Sequence, residues 1–144
     1  MAKKNVYVCF DYEKDRHYKY LMEAWDANPN FDFTFNDRSP REIQSYSISV
    51  IKACLSKKIN EATYTVILAG KDANKRHPDS AEIGYINWQN FEIARSVNNG
   101  NKLVVVKLDS SCPIPVEALG RGAVIVTGFS QSNILQALNE AARK

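Results

Sequence analysis

The feature that most narrows the folds open to this chain is the alternation of short, almost wholly apolar runs with longer amphipathic stretches. Asn5–Phe10, Thr63–Gly70, Leu103–Val106 and Ala123–Val126 are rich in β-branched and aromatic residues and carry few polar ones. A strand with one wet face alternates apolar with polar residues, whereas a strand covered on both faces does not. The first three runs therefore read as strands of a sheet buried on both sides, and the last as a short fifth strand. Another run, Phe31–Phe35, alternates strictly, with Phe31, Phe33 and Phe35 on one face and Asp32 and Thr34 on the other. That pattern predicts an edge strand with one exposed face.

Between the runs the apolar residues recur at helical spacing. Tyr18, Leu21, Met22 and Trp25 form one stripe, ended by Asn28-Pro29-Asn30, because proline cannot continue the hydrogen-bond ladder. Ser39-Pro40, with Glu42 three residues after the serine, predicts a capped helix start. From there Ile43, Tyr46, Val50 and Cys54 lie beside Ile48, Ile51, Leu55 and Ile59 on a wide apolar face. After a long polar connection, Lys71 to Asp79, the spacing of Asp79 and Glu82 predicts a short helical piece from Ser80 toward Ile86. Asn87 then caps a helix bearing Trp88, Phe91, Glu92, Ala94, Arg95 and Val97, and Asn98-Asn99-Gly100 closes it. A last helix presents Ile134, Leu135, Leu138, Ala141 and Ala142.

The resulting order, β-α-β-α-β-α-β-loop-β-α, predicts an α/β fold with a parallel sheet covered on both faces. With the edge-like strand second in the chain, the expected arrangement is a flavodoxin-like doubly wound sheet of about five parallel strands, order 2-1-3-4-5. Residues 1–144 are expected to make a single domain, a common size that can bury one core.

The charge balance removes several classes of function. A formal net charge of +3, with lysines scattered along the chain, does not point to nucleic acid. No apolar run approaches the roughly 20 residues of a membrane span, and Met1-Ala2-Lys3-Lys4 leads straight into strand pattern. The expectation is a cytoplasmic protein. Three widely spaced cysteines argue against a disulfide framework. Cys9 and Cys54 read as buried small hydrophobes, and Cys112, before Pro113 in an irregular segment, as the exposed one. With only His17 and His77, and no paired spacing, no metal site is expected.

In a doubly wound sheet, ligands bind outside the carboxyl ends of the strands, near the point where strand order reverses. That rule gathers Phe10-Asp11, Asn36-Asp37-Arg38 and Gly70-Lys71 at one crevice, and the helix following Asn87 starts from the same rim. Trp88 and Glu92 stand at i and i+4 there, one turn apart. A ring can stack on a base or a nicotinamide, and a carboxylate beside it can hold a ribose or steady a developing cation. An ordinary amphipathic helix with Trp88 half in the core and Glu92 in water has the same spacing.

The sequence also resembles the TIR-like domains of bacterial Thoeris anti-phage defence systems. The likeness rests on Val6-Tyr7-Val8-Cys9-Phe10-Asp11-Tyr12, on Thr65–Gly70, and above all on Trp88-Gln89-Asn90-Phe91-Glu92-Ile93 followed by Gly100–Val106, together about residues 5 to 108. The resemblance implies an NAD-processing enzyme of NAD+ glycohydrolase or ADP-ribosyl cyclase type, with NAD as substrate and no other cofactor. Such domains break the bond between nicotinamide and ribose, and some close ADP-ribose into a cyclic messenger that activates a separate effector protein. It implies self-association too. The catalytic glutamate of the family carries over to Glu92.

Around it, Phe10 and Trp88 are expected to stack on adenine or nicotinamide. Asp11 or Asp37 would bond ribose hydroxyls, and Arg38 or Lys71 would meet the pyrophosphate. Residues 71 to 87 make a longer approach to Trp88 than the family's pattern, and the loop after the second strand is short. Two other readings fit the same residues: a non-catalytic TIR-like interaction module, and an enzyme like a nucleoside deoxyribosyltransferase, which also sets a carboxylate against a ribose carbon.

Overall fold

The apolar runs pair side by side, as strands without a wet face must. The computed structural model describes residues 4–26, 33–36 and 47–144. Its elements are β1 (Lys4–Cys9), α1 (Tyr12–Asp26), β2 (Phe33–Asn36), α2 (Ile48–Asn60), β3 (Tyr64–Ala69), α3 (Ser80–Ile83), α4 (Trp88–Asn99), β4 (Lys102–Lys107), β5 (Val124–Thr127) and α5 (Gln131–Ala142). The five strands are all parallel and lie in the order β2-β1-β3-β4-β5, as the sequence pattern predicts. Val8 sits beside Val66, Val66 beside Val104, and Val106 beside Val126.

Alternate residues of each strand serve opposite layers. Val6, Val8, Phe10, Val66, Leu68, Val104 and Val106 face α1 and α5, where Met22, Ile134, Ala137, Leu138 and Ala141 bury against them. Phe129, just before α5, packs on α1 on this side, its ring 4.5 Å from Tyr18 and 5.2 Å from Trp25. On the other face Cys9, Ile67, Ala69, Leu103 and Val105 meet Ile93 of α4, and Tyr7 meets Ile59 of α2. All six residues of β3 are buried, which fits its place in the middle of the sheet.

Several local expectations are corrected. α2 begins at Ile48, after an extended Ser47 (φ −81°, ψ 121°). The expected cap at Ser39, Pro40 and Glu42, and the apolar Ile43 and Tyr46, fall outside the described residues. One helix face turns inward, and it is the Ile51, Leu55, Ile59 stripe: Ile51 and Leu55 pack against Ile83 of α3 and Phe91 of α4, and Ile59 against Tyr7 of β1; Val50 of the neighbouring stripe is exposed and Cys54 only half-buried. Leu21 likewise faces solvent while Met22 takes the core position. Asp79 does not cap α3 with its side chain; its own N–H instead donates to His77 Nδ1 at 2.9 Å, and α3 stops at a left-handed Gly84. Cys112 is buried, because a turn on Asp109 folds it inward: its N–H donates to the Asp109 carbonyl and its Sγ lies 3.5 Å from Asp109 Oδ1.

Candidate functional site

α4 starts where β1 and β3 end, and its polar residues decide how it is seated. Asn87 is extended (φ −160°, ψ 177°) and its Oδ1 accepts the N–H of Asn90 at 2.9 Å, which supplies a partner to one of the open amides of the first turn. Gly100, at φ +78°, ends the helix in the left-handed conformation that glycine adopts without cost.

The first turn is pinned from three sides. Gln89 Nε2 donates to the Leu68 carbonyl of β3 at 2.9 Å. Asn90, fully buried, donates through Nδ2 to the Ala73 carbonyl and to Asn87 Oδ1, each at 3.0 Å, and its Oδ1 accepts the Glu117 N–H at 3.0 Å. Asn87 Nδ2 reaches the carbonyls of Ala73 and Lys75, and Asn74 bonds Ile114 and Val116. The polar connection from Lys71 is thus tied to α4 and to the segment after β4 by three asparagines. Their signal in the sequence was composition alone, since asparagines are also what an ordinary loop contains.

A second polar chain runs beneath the helix. Asn101 Nδ2 donates to Thr65 Oγ1 at 3.2 Å, Thr65 donates to Ser96 Oγ at 2.8 Å, and Ser96 donates to the carbonyl of Glu92 at 2.9 Å. Thr65, Ser96 and Asn101 are all buried, and each finds partners, as buried polar groups must.

Between the two anchorages stands Glu92, 2 % exposed. Its negative charge acts on the thiol of Cys9, the last residue of β1. The Cys9 Sγ also lies 3.4 Å from the carbonyl of Gln89. Burial first, and the negative charge of Glu92 next, push the Cys9 thiol well above its usual range, so it stays a protonated donor.

The remaining expected site residues are dispersed. Trp88 is half-buried and turns to the α2 side, its ring 5.6 Å from that of Phe91 in an edge-on contact, in a cluster with Ile51, Leu55 and Ile83. Trp88 and Glu92 are thus a turn apart but engage different partners. Phe10 is buried in the core beneath α1 and α5, on the face of the sheet opposite α4. Asp11 follows it, half-buried, at the carboxyl end of β1. Lys71 is exposed just past β3 and acts electrostatically on Asp109, whose carboxyl is lowered chiefly by hydrogen bonds from Ser111. Asp37 and Arg38 lie outside the described residues.

The clefts on the described surface lie apart from Glu92, among them the following two. One of about 250 Å³ opens at the amino end of β4, lined by Lys102, Arg121 and Lys144, and one of about 350 Å³ separates α2 from α4, lined by Lys52, Tyr85 and Arg95. Among the described residues no group of three His, Cys, Asp or Glu is placed to hold a metal ion, and no helix is long and apolar enough to cross a membrane.

Comparison with known proteins adds the following. Residues 7–112, from the middle of β1 to just past β4, match the family described as Thoeris protein ThsB, TIR-like domain, and include Glu92. The structure is similar to that of a prokaryotic SEFIR domain, with a TM-score of 0.56 at 13 % identity, covering 98 % of this chain and 97 % of that one. A 3-dehydroquinate dehydratase-like protein from Bifidobacterium longum aligns with a TM-score of 0.48 at 14 % identity, covering 99 % of this chain and 97 % of that one. No curated protein matches in sequence.

Proposed function

Since this chain belongs to the family of the Thoeris protein ThsB TIR-like domain, we propose that it is an NAD-processing enzyme of anti-phage defence. It cleaves the nicotinamide–ribose bond and closes the ADP-ribose into a cyclic signalling nucleotide that acts on a separate effector. Glu92 is the catalytic residue. The observation that carries this reading is the placement of Glu92: a carboxylate held off water on α4, against the carboxyl end of β1, where sheets of this topology bind ligands.

In the proposed reaction the bond from ribose C1 to the nicotinamide nitrogen breaks and its electron pair leaves with neutral nicotinamide. The ribose is left as an oxocarbenium-like cation, which a neighbouring carboxylate stabilises by charge or by transient covalent capture. Attack by an oxygen or nitrogen of the same ADP-ribose gives the cyclic isomer with loss of a proton where the nucleophile carries one; attack by water gives linear ADP-ribose and a proton. Among the other residues, Asp11 and Lys71 flank the same edge of the sheet and are proposed to contact the ribose and the pyrophosphate. Trp88 supports α4 through Phe91 and Ile83, which keeps the helix, and with it Glu92, against the sheet.

The test is incubation of the purified protein with NAD and chromatographic separation of products, beside Glu92→Gln. Nicotinamide release that falls about a hundredfold or more in Glu92→Gln supports the proposal; release that persists in the variant refutes the catalytic role. A cyclic isomer among the products marks messenger synthesis, and linear ADP-ribose alone marks NAD consumption. The second reading, a TIR-like interaction module, takes the same buried Glu92 as a structural carboxylate. On that reading the wild type releases no nicotinamide at any protein concentration.

A further inference from the structure

The cleft between α2 and α4 holds two cations and no acid. It measures about 350 Å³ and is lined by Lys52 and Ser56 of α2, by Tyr85, and by Phe91, Arg95 and Asn98 of α4. Helical period brings these residues to facing surfaces: Lys52 and Ser56 stand at i and i+4, and Phe91, Arg95 and Asn98 at i, i+4 and i+7. Glu92 is not among the lining residues.

The half-buried Arg95 is the anomaly. Its Nε is shut off from solvent and has no hydrogen-bond partner. Buried N–H groups are nearly always paired, because an unpaired one has lost its water and gained nothing for it. Lys52, across the cleft, is better held. Its Nζ donates to the Glu82 carbonyl at 2.8 Å and lies 5.8 Å from the centre of the Phe91 ring, and an ammonium with one such bond has two further protons to offer. The rings of Tyr85 and Phe91 meet edge-on at 6.0 Å and give the cleft an apolar wall.

We infer that this cleft binds a small organic phosphate, a monoester with a short apolar body. A phosphate monoester carries a charge of about −1.5 to −2 at neutral pH, which the two lining cations match. The Arg95 guanidinium suits two oxygens of such a group at once, and Lys52 meets it as a point charge. Ser56 and Asn98 supply neutral donors, and the ring wall covers the organic part. The volume lies at the small end of the range for ligand pockets, roughly 300 to 1,000 Å³, so a phosphate with one ring is the scale that fits. No bond at Nε has to break when Arg95 turns to the ligand, and the group left unpaired in the empty protein becomes paired in the complex. The inference is independent of the role given to Glu92.

The experiment titrates the full chain by calorimetry with phenyl phosphate, inorganic phosphate and benzenesulfonate, at one ionic strength set with NaCl so that screening is common to all three. Phenyl phosphate is expected to bind with a Kd below about 1 mM, and inorganic phosphate and the singly charged benzenesulfonate each about tenfold more weakly. Arg95→Met and Lys52→Met are each expected to raise the Kd of phenyl phosphate about tenfold or more. Amide chemical shifts locate the ligand: those of Ser56, Arg95 and Asn98 are expected to move. An unchanged Kd in Arg95→Met, or shifts gathered at Asp11 and Lys71 instead, overturns the inference. Inorganic phosphate binding as tightly as phenyl phosphate overturns the assignment to an ester and leaves a site for free phosphate.

A readout without ligand is the melting temperature in NaCl. Methionine keeps most of the Arg95 stem and removes the unpaired N–H, so Arg95→Met is expected to melt within about 3 °C of the wild type or above it. A larger fall shows that the guanidinium already has a partner in the free protein, and overturns the inference.

Discussion

Replacing Asn90 with alanine is expected to loosen the seat of α4 without touching Glu92. The side chain is fully buried and makes three hydrogen bonds of 3.0 Å, to the Ala73 carbonyl, to Asn87 Oδ1 and from the Glu117 N–H. Each such bond is worth about 1 kcal/mol net. Two of the partners keep another donor in the variant: Ala73 retains Asn87 Nδ2 at 2.9 Å, and Asn87 Oδ1 retains the N–H of position 90 at 2.9 Å. Those losses are therefore discounted to roughly half, and only the Glu117 N–H bears the full amount, for a hydrogen-bond loss of about 2 kcal/mol. The void left by a buried amide side chain adds about 1 kcal/mol.

The expected total, about 3 kcal/mol, corresponds to a fall in Tm of about 9 °C for a chain of this size. Urea unfolding followed by circular dichroism gives the free energy, and coincidence with a fluorescence transition checks that unfolding is two-state. A loss under about 0.5 kcal/mol refutes the claim that Asn90 holds α4 to the connection preceding it and to Glu117. Asn90→Asp is the control for direction. It keeps the acceptor for Glu117 but turns an oxygen toward the Ala73 carbonyl and Asn87 Oδ1, so it is expected to destabilise at least as much as alanine.

Two further perturbations follow from the same structure. Gly100→Ala places a side chain at φ +78° with nothing within 4 Å of the new Cβ, so its cost is conformational, about 1 kcal/mol, and unfolding experiments should show that loss with NAD turnover unchanged. Cys9 has its thiol raised by burial and by the Glu92 charge, so the unfolded chain gives up this proton first as pH rises. The stability it contributes is complete below the ordinary thiol value of about 8.5 and declines as pH climbs above it; Cys9→Val should flatten that alkaline slope in melts recorded across the range, and an unchanged slope contradicts the assignment.

Fold and site were legible in the sequence to different depths, for physical reasons. β1, β3 and β4 carry apolar residues on both faces, and in a chain of alternating strands and helices that condition has few solutions, so the order β2-β1-β3-β4-β5 could be read in advance. The cap at Asn87 and the stop at Gly100 were legible because each uses a local backbone rule. Which of two adjacent apolar stripes faces inward was not legible: Leu21 and Met22, or Val50 and Ile51, differ in burial only through the direction from which the neighbouring elements, the sheet for α1 and α3 with α4 for α2, are met.

At the site, spacing placed Trp88 and Glu92 one turn apart on α4, but their partners come from α2 and from β1, at long range in the chain. Phe10 illustrates the same limit. Its position at the strand end was clear, yet strand alternation sends it to the layer opposite α4. The asparagines at 74, 87 and 90 and the Thr65–Ser96–Asn101 chain were invisible as networks, because a polar residue in a sequence does not announce which buried carbonyl it will meet.

The double anchorage of α4 has a mechanical consequence. A helix that slides by one residue advances about 1.5 Å and rotates about 100°, which no hydrogen bond of 3 Å survives. For α4 such a step would break the Gln89, Asn87 and Asn90 bonds at one end and the Ser96 bond to Thr65 at the other in a single event. The helix therefore behaves as the stationary part of the machine. Any displacement beside it is taken up by the elements facing it, and the backbone of α4 keeps its place.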